Sequence, residues 1–249
     1  MVNFMILLSV LLVFMEYDII LRIGRVFNRE APVAYSEHIL GLALARIFAL
    51  IKSYRGFTLK VEDKLAGPWP ERFILVANHQ SVADIPVVAH ILLSMGKRIR
   101  FVAKKELGAG VPLVSQALRM QGHGLVTRRG DPGQALRALD RFARNCRKTK
   151  ACPVIFPEGT RCRDGQLGQF HTGALKRILS QESLPLVVVA LEGGWRIRGI
   201  KEIMANLKGS GYRLRILGVI EAPLGRQAMM SAAKQSHDMI EATLNEWRA

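Results

Sequence analysis

The apolar and polar positions divide the chain into two unlike parts. Residues 4–15, FMILLSVLLVFM, form an uninterrupted apolar run that stops at Glu16 and Asp18. Continued as one helix through residue 29, the segment carries Asp18, Arg22, Arg25 and Arg29 within a stripe of about 60°, with Asp18 and Arg22 one turn apart. Such a helix has a wide apolar face and one narrow charged edge. Asn28 and Pro32 interrupt the pattern, and a second mostly apolar stretch follows at 39–51, broken only by Arg46. The first run alone is shorter than the roughly 20 residues that cross a bilayer core. Its start also lacks the basic lead and small-residue cleavage site of a signal peptide. Two such helices in succession predict a hairpin lying in, or dipping into, one leaflet, with arginines reaching toward the headgroups. Two amphipathic helices packed on a soluble domain fit the same pattern.

From residue 56 onward, short β-rich runs alternate with helical stretches. Buried strands are predicted at Phe73–Ala77 and Leu186–Leu191, further strands at Ile99–Ala103, Leu125–Thr127 and Pro153–Phe156, and an alternating strand at Tyr212–Ile220. Helices are predicted over Pro86–Met95, closed by Gly96; over 107–120, with a break near Pro112; over 172–180; and over Gln227–Arg248. Asp131-Pro132 reads as a helix start, opening an amphipathic helix to about Lys148 with Leu136, Leu139, Phe142 and Ala143 inward. The alternation predicts an α/β fold, a central mostly parallel sheet flanked by helices on both faces, preceded by the N-terminal membrane-associated two-helix hairpin. Ligand sites in such sheets gather at strand ends.

Charge narrows the choice of partner. Lys and Arg number 36 against 20 Asp and Glu, a formal net charge of +16 on 249 residues. The excess points to an anionic partner: nucleic acid, a phosphorylated small molecule or an anionic membrane surface. Apolar residues make up 49% of the chain, which excludes disorder as the main state, and the glycines and prolines show no fibrous period. Cys146, Cys152 and Cys162 lack the paired spacing of a zinc site or disulfide framework, which suits a reducing compartment and packing roles.

Two loops after predicted strands carry candidate chemistry. In Asn78-His79-Gln80-Ser81-Val82-Ala83-Asp84, a continuous helix would point His79 and Asp84 about 140° apart. If His79 ends the strand and Asp84 caps the next helix, imidazole and carboxylate can share a hydrogen bond. That pairing suits a general base acting on a hydroxyl nucleophile. Taken alone, the spacing also fits a simple helix cap and a satisfied loop histidine. In Phe156-Pro157-Glu158-Gly159-Thr160-Arg161, Gly159 permits close backbone approach, Thr160 offers a hydroxyl and Arg161 suits bidentate phosphate binding. A buried Glu158 could accept a hydrogen bond from a substrate hydroxyl; a turn with a surface ion pair has the same sequence. Lys104 and Arg128 follow two further predicted strands, so one cleft could collect all four features.

Asn78-His79-x4-Asp84, Gly124-x3-Arg128, Phe156-Pro157-Glu158-Gly159-Thr160-Arg161 and Leu184-Pro185-Leu186-Val187, in this order, resemble the four motif blocks of the glycerolipid acyltransferase superfamily. The closest likeness is to bacterial-type 1-acyl-glycerol-3-phosphate acyltransferases, over about residues 57–222, and the hairpin resembles the membrane-embedded two-helix motif of such enzymes. Two positions depart from the pattern: Leu125-Val126 stand where an aromatic usually precedes the arginine of the second block, and Val188 replaces the second proline of the fourth.

The resemblance implies a hairpin over 1–55 and an acyltransferase catalytic domain over 56–249. It implies His79 as base and Asp84 as its orienting partner, with Arg128, Glu158, Gly159, Thr160 and Arg161 at the acceptor site and Lys104 as a further phosphate contact. The expected reaction moves an acyl group from acyl-CoA or acyl carrier protein to the sn-2 hydroxyl of lysophosphatidic acid, giving phosphatidic acid for phospholipid biosynthesis, with no metal and no cofactor beyond the donor. The expected partners are membrane lipids and the acyl donor, not nucleic acid. The expected location is the cytoplasmic face of a membrane, the inner membrane in a bacterium. A lyso-ornithine lipid or lysophosphatidylethanolamine is the alternative acceptor. A basic membrane or nucleic-acid binding protein without enzymatic activity is the remoter alternative; the basic clusters carry almost none of the interleaved aromatics that nucleic-acid binding favours.

Overall fold

The computed structural model describes residues 2–27, 32–53, 57–127 and 131–249. Two antiparallel helices, α1 (Val2–Phe27) and α2 (Pro32–Ser53), come first. There follow β1 (Phe57–Asp63), β2 (Ile74–Ala77), α3 (Asp84–Ser94), β3 (Ile99–Lys104), α4 (Val114–Met120), β4 (Gly124–Val126), α5 (Pro132–Thr149), β5 (Cys152–Ile155) and α6 (Gly173–Leu179). The chain ends in β6 (Leu186–Glu192), α7 (Ile200–Asn206), β7 (Ser210–Ile220) and α8 (Gly225–Arg248). The seven strands form one sheet in the order β1-β7-β6-β2-β5-β3-β4. All neighbours are parallel except β6 and β7, so β1 and β7 run against the other five.

Short strands buried on both faces explain why the central runs read as continuously apolar. Along β2, Leu75 and Ala77 join the core under α2 and α3, while Ile74 and Val76 join the core under α5 and α6. On β6, Val188 and Ala190 pack against Ile240 and Leu244 of α8. Asp131 caps α5 by accepting from the Gly133 amide at 2.8 Å, with Pro132 in the first helical position. Phe142 and Ala143 point inward as expected, but Leu136 is 40% exposed, and Ala138 and Cys146 complete the buried stripe instead. The 107–120 stretch divides into a 3₁₀ turn at Lys105–Gly108 and α4. β1, the 3₁₀ turn at Gly194–Ile197 and α7 were not resolved as elements by the sequence pattern.

The hairpin is bound to the sheet domain through charges as well as apolar contacts. Asp18 is buried, and one carboxylate oxygen accepts from the Leu113 amide and from Gln116 Nε2, both at 2.7 Å. The other oxygen takes the expected i,i+4 bond from Arg22, also at 2.7 Å. Leu113 has φ +58°, a backbone conformation rare for a branched side chain, and its own side chain is fully buried with Leu21, Ile39 and Ala43. On α2, Glu37 accepts from the buried Arg100 of β3 at 2.6 Å and from Arg98 at 3.1 Å. Charge therefore does not terminate the first apolar segment at Asp18; it turns inward. The outer side of α1 is mostly apolar, with Leu12 56% and Ile23 57% exposed, and is interrupted by the exposed Glu16, Arg22 and Arg25. Both helices are long and apolar enough to cross a membrane, which for α1 exceeds what the 4–15 run alone suggested.

Candidate active site

The loop that carries His79 begins where β2 ends. Beyond the last paired residue, the Asn78 side chain imitates a further step of the ladder: its amide nitrogen donates to the Leu191 carbonyl and its oxygen accepts from the Leu191 amide, each at 2.8 Å. This clamp fixes the direction in which the chain leaves the sheet. Ser81 Oγ then donates to the Ile197 carbonyl at 2.6 Å and accepts from the Ala83 amide at 3.0 Å, closing the turn into α3.

His79 and Asp84 meet inside this turn, Nδ1 to Oδ2 at 2.6 Å. The same carboxylate oxygen accepts the amides of Gln80 at 2.6 Å and Ser81 at 2.8 Å, and Oδ1 accepts the Tyr212 hydroxyl. Asp84 is fully buried and His79 nearly so. Asp84 is thus the first residue of α3 rather than its cap, and its carboxylate bonds backward into the loop, not forward into the helix. Gly194 makes room for this: a Cβ there would lie 3.1 Å from Asp84 Oδ1. Four donors on one carboxylate hold the charge in place, and the bond at Nδ1 keeps the proton on that nitrogen and leaves Nε2 as the basic one.

The second loop braces the first. Glu158 Oε1 accepts from the His79 backbone amide at 2.7 Å and Oε2 from the Gly168 amide at 2.9 Å. Burial raises its carboxyl above the ordinary range, and the two backbone donors oppose that rise. Glu158 was expected at the acceptor site; in the structure one of its oxygens accepts the His79 amide and the other the Gly168 amide, which ties the second loop to the first. Phe156 stacks on the His79 ring with centroids 4.4 Å apart, and the Cys162 amide donates to the His79 carbonyl at 2.9 Å. His79 is therefore gripped through its ring, its Nδ1, its amide and its carbonyl.

The remaining expected residues are distributed around that core. Gly159 has φ +66°, where a side chain is disfavoured, and with Thr160 is exposed at the loop tip. Arg161 is half-buried and donates to the Arg198 carbonyl at 2.7 Å. Lys104 ends β3 in an exposed position on the same edge of the sheet, since β3 lies beside β5. Arg128 lies outside the described residues, as does Arg29 of the hairpin stripe. Burial pushes the Cys162 thiol up to about 11 and that of Cys146 up to about 12, which suits neither to act as a nucleophile.

Sequence reasoning missed Tyr212, Asn78, Gln80 and Ser81 as parts of the site. Tyr212 lies 128 positions from Asp84 and appeared only as the start of an alternating strand. The polar side chains of the first loop carried one hint, since a run of them directly after an apolar strand must find buried partners.

The Acyltransferase family profile matches residues 59–192. Relatives include the chloroplastic 1-acyl-sn-glycerol-3-phosphate acyltransferase LPAT1 of Arabidopsis thaliana, 31% identical over 155 residues, which are 62% of this chain and 41% of that protein. BAT2 of Brassica napus, a protein of the same printed name, is 35% identical over 155 residues, 62% of this chain and 43% of that one. The chain spans less than half the length of these two plant proteins. The crystal structure of the 1-acyl-sn-glycerophosphate acyltransferase PlsC from Thermotoga maritima superposes with a TM-score of 0.67 at 21% identity, covering 97% of this chain and 96% of that one; the two share a fold. The profile takes in more than half of the residues, and the loops that bring His79 against Asp84 and Glu158 lie inside it: the chain belongs to the Acyltransferase family.

Proposed function

We propose that the protein transfers a fatty acyl group from a thioester donor to the sn-2 hydroxyl of lysophosphatidic acid, giving phosphatidic acid in phospholipid biosynthesis. The observation that carries this reading is the buried 2.6 Å contact between His79 Nδ1 and Asp84 Oδ2, which reserves Nε2 for a proton. His79 Nε2 takes the hydroxyl proton as the acceptor oxygen bonds to the thioester carbonyl carbon. The tetrahedral intermediate then expels the thiolate, which recovers that proton from Nε2. One ester bond forms, one thioester bond breaks, and no acyl-enzyme or metal is required. A base so positioned contributes roughly 10²–10⁴ in rate.

Three further features support the reading. Lys104 and Arg161 follow strands that end on one edge of the sheet, a suitable place for an acceptor phosphate. The apolar outer face of α1 suits a leaflet, from which a single-chain lipid is drawn. The plant relatives carry the corresponding activity in their names.

The test is phosphatidic acid formation by the purified full chain in lipid vesicles, with wild type beside His79→Ala and Asp84→Asn, and with acyl-CoA and acyl carrier protein each offered as donor. Activity in wild type and a loss of about 10²-fold or more in folded variants is expected. Full activity in His79→Ala would overturn the base; absence of product from wild type with both donors would overturn the acceptor and call for a panel of other lysolipids.

A further inference from the structure

A cavity of about 520 Å³ opens between the end of β6, the beginnings of β1 and β7 and the end of α8. It reaches the catalytic edge because β1 and β7 run against the other strands, which places their first residues where β6 finishes. Its volume is within the range of small-molecule sites, roughly 300–1,000 Å³.

The wall is built and charge-compensated. Glu192 accepts from Trp195 Nε1 at 3.2 Å on one oxygen, and from Arg248 at 2.7 Å and Gln80 Nε2 at 3.0 Å on the other. Arg248 also donates to the Gly165 carbonyl at 2.6 Å, tying the loop after the Phe156–Arg161 motif into the same wall. Gly165 has φ +85°, and a Cβ there would meet the Trp195 indole at 3.0 Å.

Two cations on the strand floor are not compensated. Lys60 and Arg213 are direct register partners on β1 and β7. Neither has a carboxylate within salt-bridge distance among the described residues. One step further along the same strands the register partners are Glu62 and Arg215, which do pair, at 2.6 Å. Glu192, the register partner of Arg213 on the other side, has its oxygens committed to the wall. Like charges placed opposite each other cost stability, which is relieved if an anion lies between them. Trp195 and Trp247 line the cavity; Arg196 lies over the first ring at 5.1 Å and Arg215 over the second at 4.9 Å, so a purine would stack on the opposite face of an indole.

We infer that this cavity binds the phosphorylated adenosine end of an acyl-CoA donor, with Lys60 and Arg213 on its phosphate and an indole against its base. The inference rests on the proposed thioester chemistry and names the donor for it. The hydrogen-bonded route from cavity to base is short: Gln80 joins Glu192 to the catalytic loop, its side-chain oxygen accepts from the Gly194 amide at 3.0 Å, and its own amide binds Asp84.

The experiment is calorimetric titration of the full chain, in lipid nanodiscs, with adenosine 3′,5′-bisphosphate and separately with inorganic phosphate. Wild type binds the bisphosphate at least about tenfold more tightly than phosphate, and Lys60→Ala and Arg213→Gln each weaken it about tenfold. The same variants raise KM for acyl-CoA about tenfold and leave KM for lysophosphatidic acid unmoved. Lys60→Glu abolishes binding and, by creating a second complementary pair, keeps or raises the melting temperature, which separates lost binding from lost folding. Bisphosphate bound no better than phosphate, equal binding by the variants, or a donor KM that stays put would overturn the assignment. If the bisphosphate binds as described while wild type makes no phosphatidic acid, the acceptor reading fails and the nucleotide site stands.

Discussion

Tyr212 donates its hydroxyl proton to Oδ1 of Asp84, the carboxylate oxygen opposite the one that holds His79. The hydroxyl is fully buried, and burial above all, with the Asp84 charge beside it, raises its pKa well above the ordinary tyrosine value, so it remains a donor throughout any working pH range. It draws charge away from the oxygen facing the imidazole. Tyr212→Phe is therefore expected to strengthen the attraction between Asp84 and protonated His79 and move the acid limb of the kcat/KM profile to higher pH. A uniform loss of rate with the limb unmoved would reduce Tyr212 to a packing role.

His79→Ala and Asp84→Asn should separate in stability although both lose activity. The first removes the proposed base and leaves Asp84 with its three other donors. The second places an amide NH₂ against either the Gln80 and Ser81 amides or the Tyr212 hydroxyl, and an unsatisfied buried donor costs about 1–3 kcal/mol. A melting temperature lower for Asp84→Asn than for His79→Ala is the expected outcome of thermal unfolding monitored by circular dichroism.

Glu158 gives a pH-dependent signature of opposite sign to most carboxylates. Because burial raises its folded value, the folded protein holds this proton to higher pH than the unfolded chain does. Its stabilising contribution is present below the ordinary 4.5 and is lost as pH rises through the raised value. The stability of wild type relative to Glu158→Gln should fall as pH rises from 4 to 7, as read from urea midpoints.

His123 works in the other direction. Its Nδ1 accepts the Phe101 amide at 2.9 Å and its Nε2 faces Gln121 Oε1 at 3.0 Å, an arrangement that requires the neutral ring. Burial, reinforced by the Arg100 charge, depresses its pKa from 6.5 to about 3. The unfolded chain takes up this proton first, so the contribution is complete above 6.5 and is lost as pH falls toward 3, by at most about 1.4 kcal/mol per pH unit. A shallower acid loss in His123→Gln than in wild type checks this.

The elements most legible in the sequence were those whose signal is local. The apolar runs at β2, β5 and β6 could only be buried strands between helices, and Asp131-Pro132 specified a helix start through cap chemistry that needs no tertiary partner. The His79–Asp84 contact was legible as a possibility, because the five-residue separation excludes a helix and requires a turn. Leu136 misled because a strong helical period places a stripe but not its outer margin, which depends on where α6 and the sheet stop. β1 escaped because half of its residues face solvent at the sheet edge, and α7 because it is short and has no buried residue. The contacts of Glu158 with the His79 and Gly168 amides were beyond a linear reading, since those partners carry no side-chain identity at all.

Asp18 and Glu37 give the hairpin a second role besides the one its apolar surface advertises. Each presents a carboxylate from the hairpin to donors on the sheet domain: the strained Leu113 amide and Gln116 for the first, Arg100 and Arg98 for the second. Leu44 of α2 also belongs to the main core beneath α3. A shortened chain starting after residue 53, the obvious route to a detergent-free preparation, would strip the carboxylate partner from a fully buried arginine and open the core beside it. Hairpin and sheet domain are one folding unit here, and preparations of this protein should be designed around keeping its first two helices.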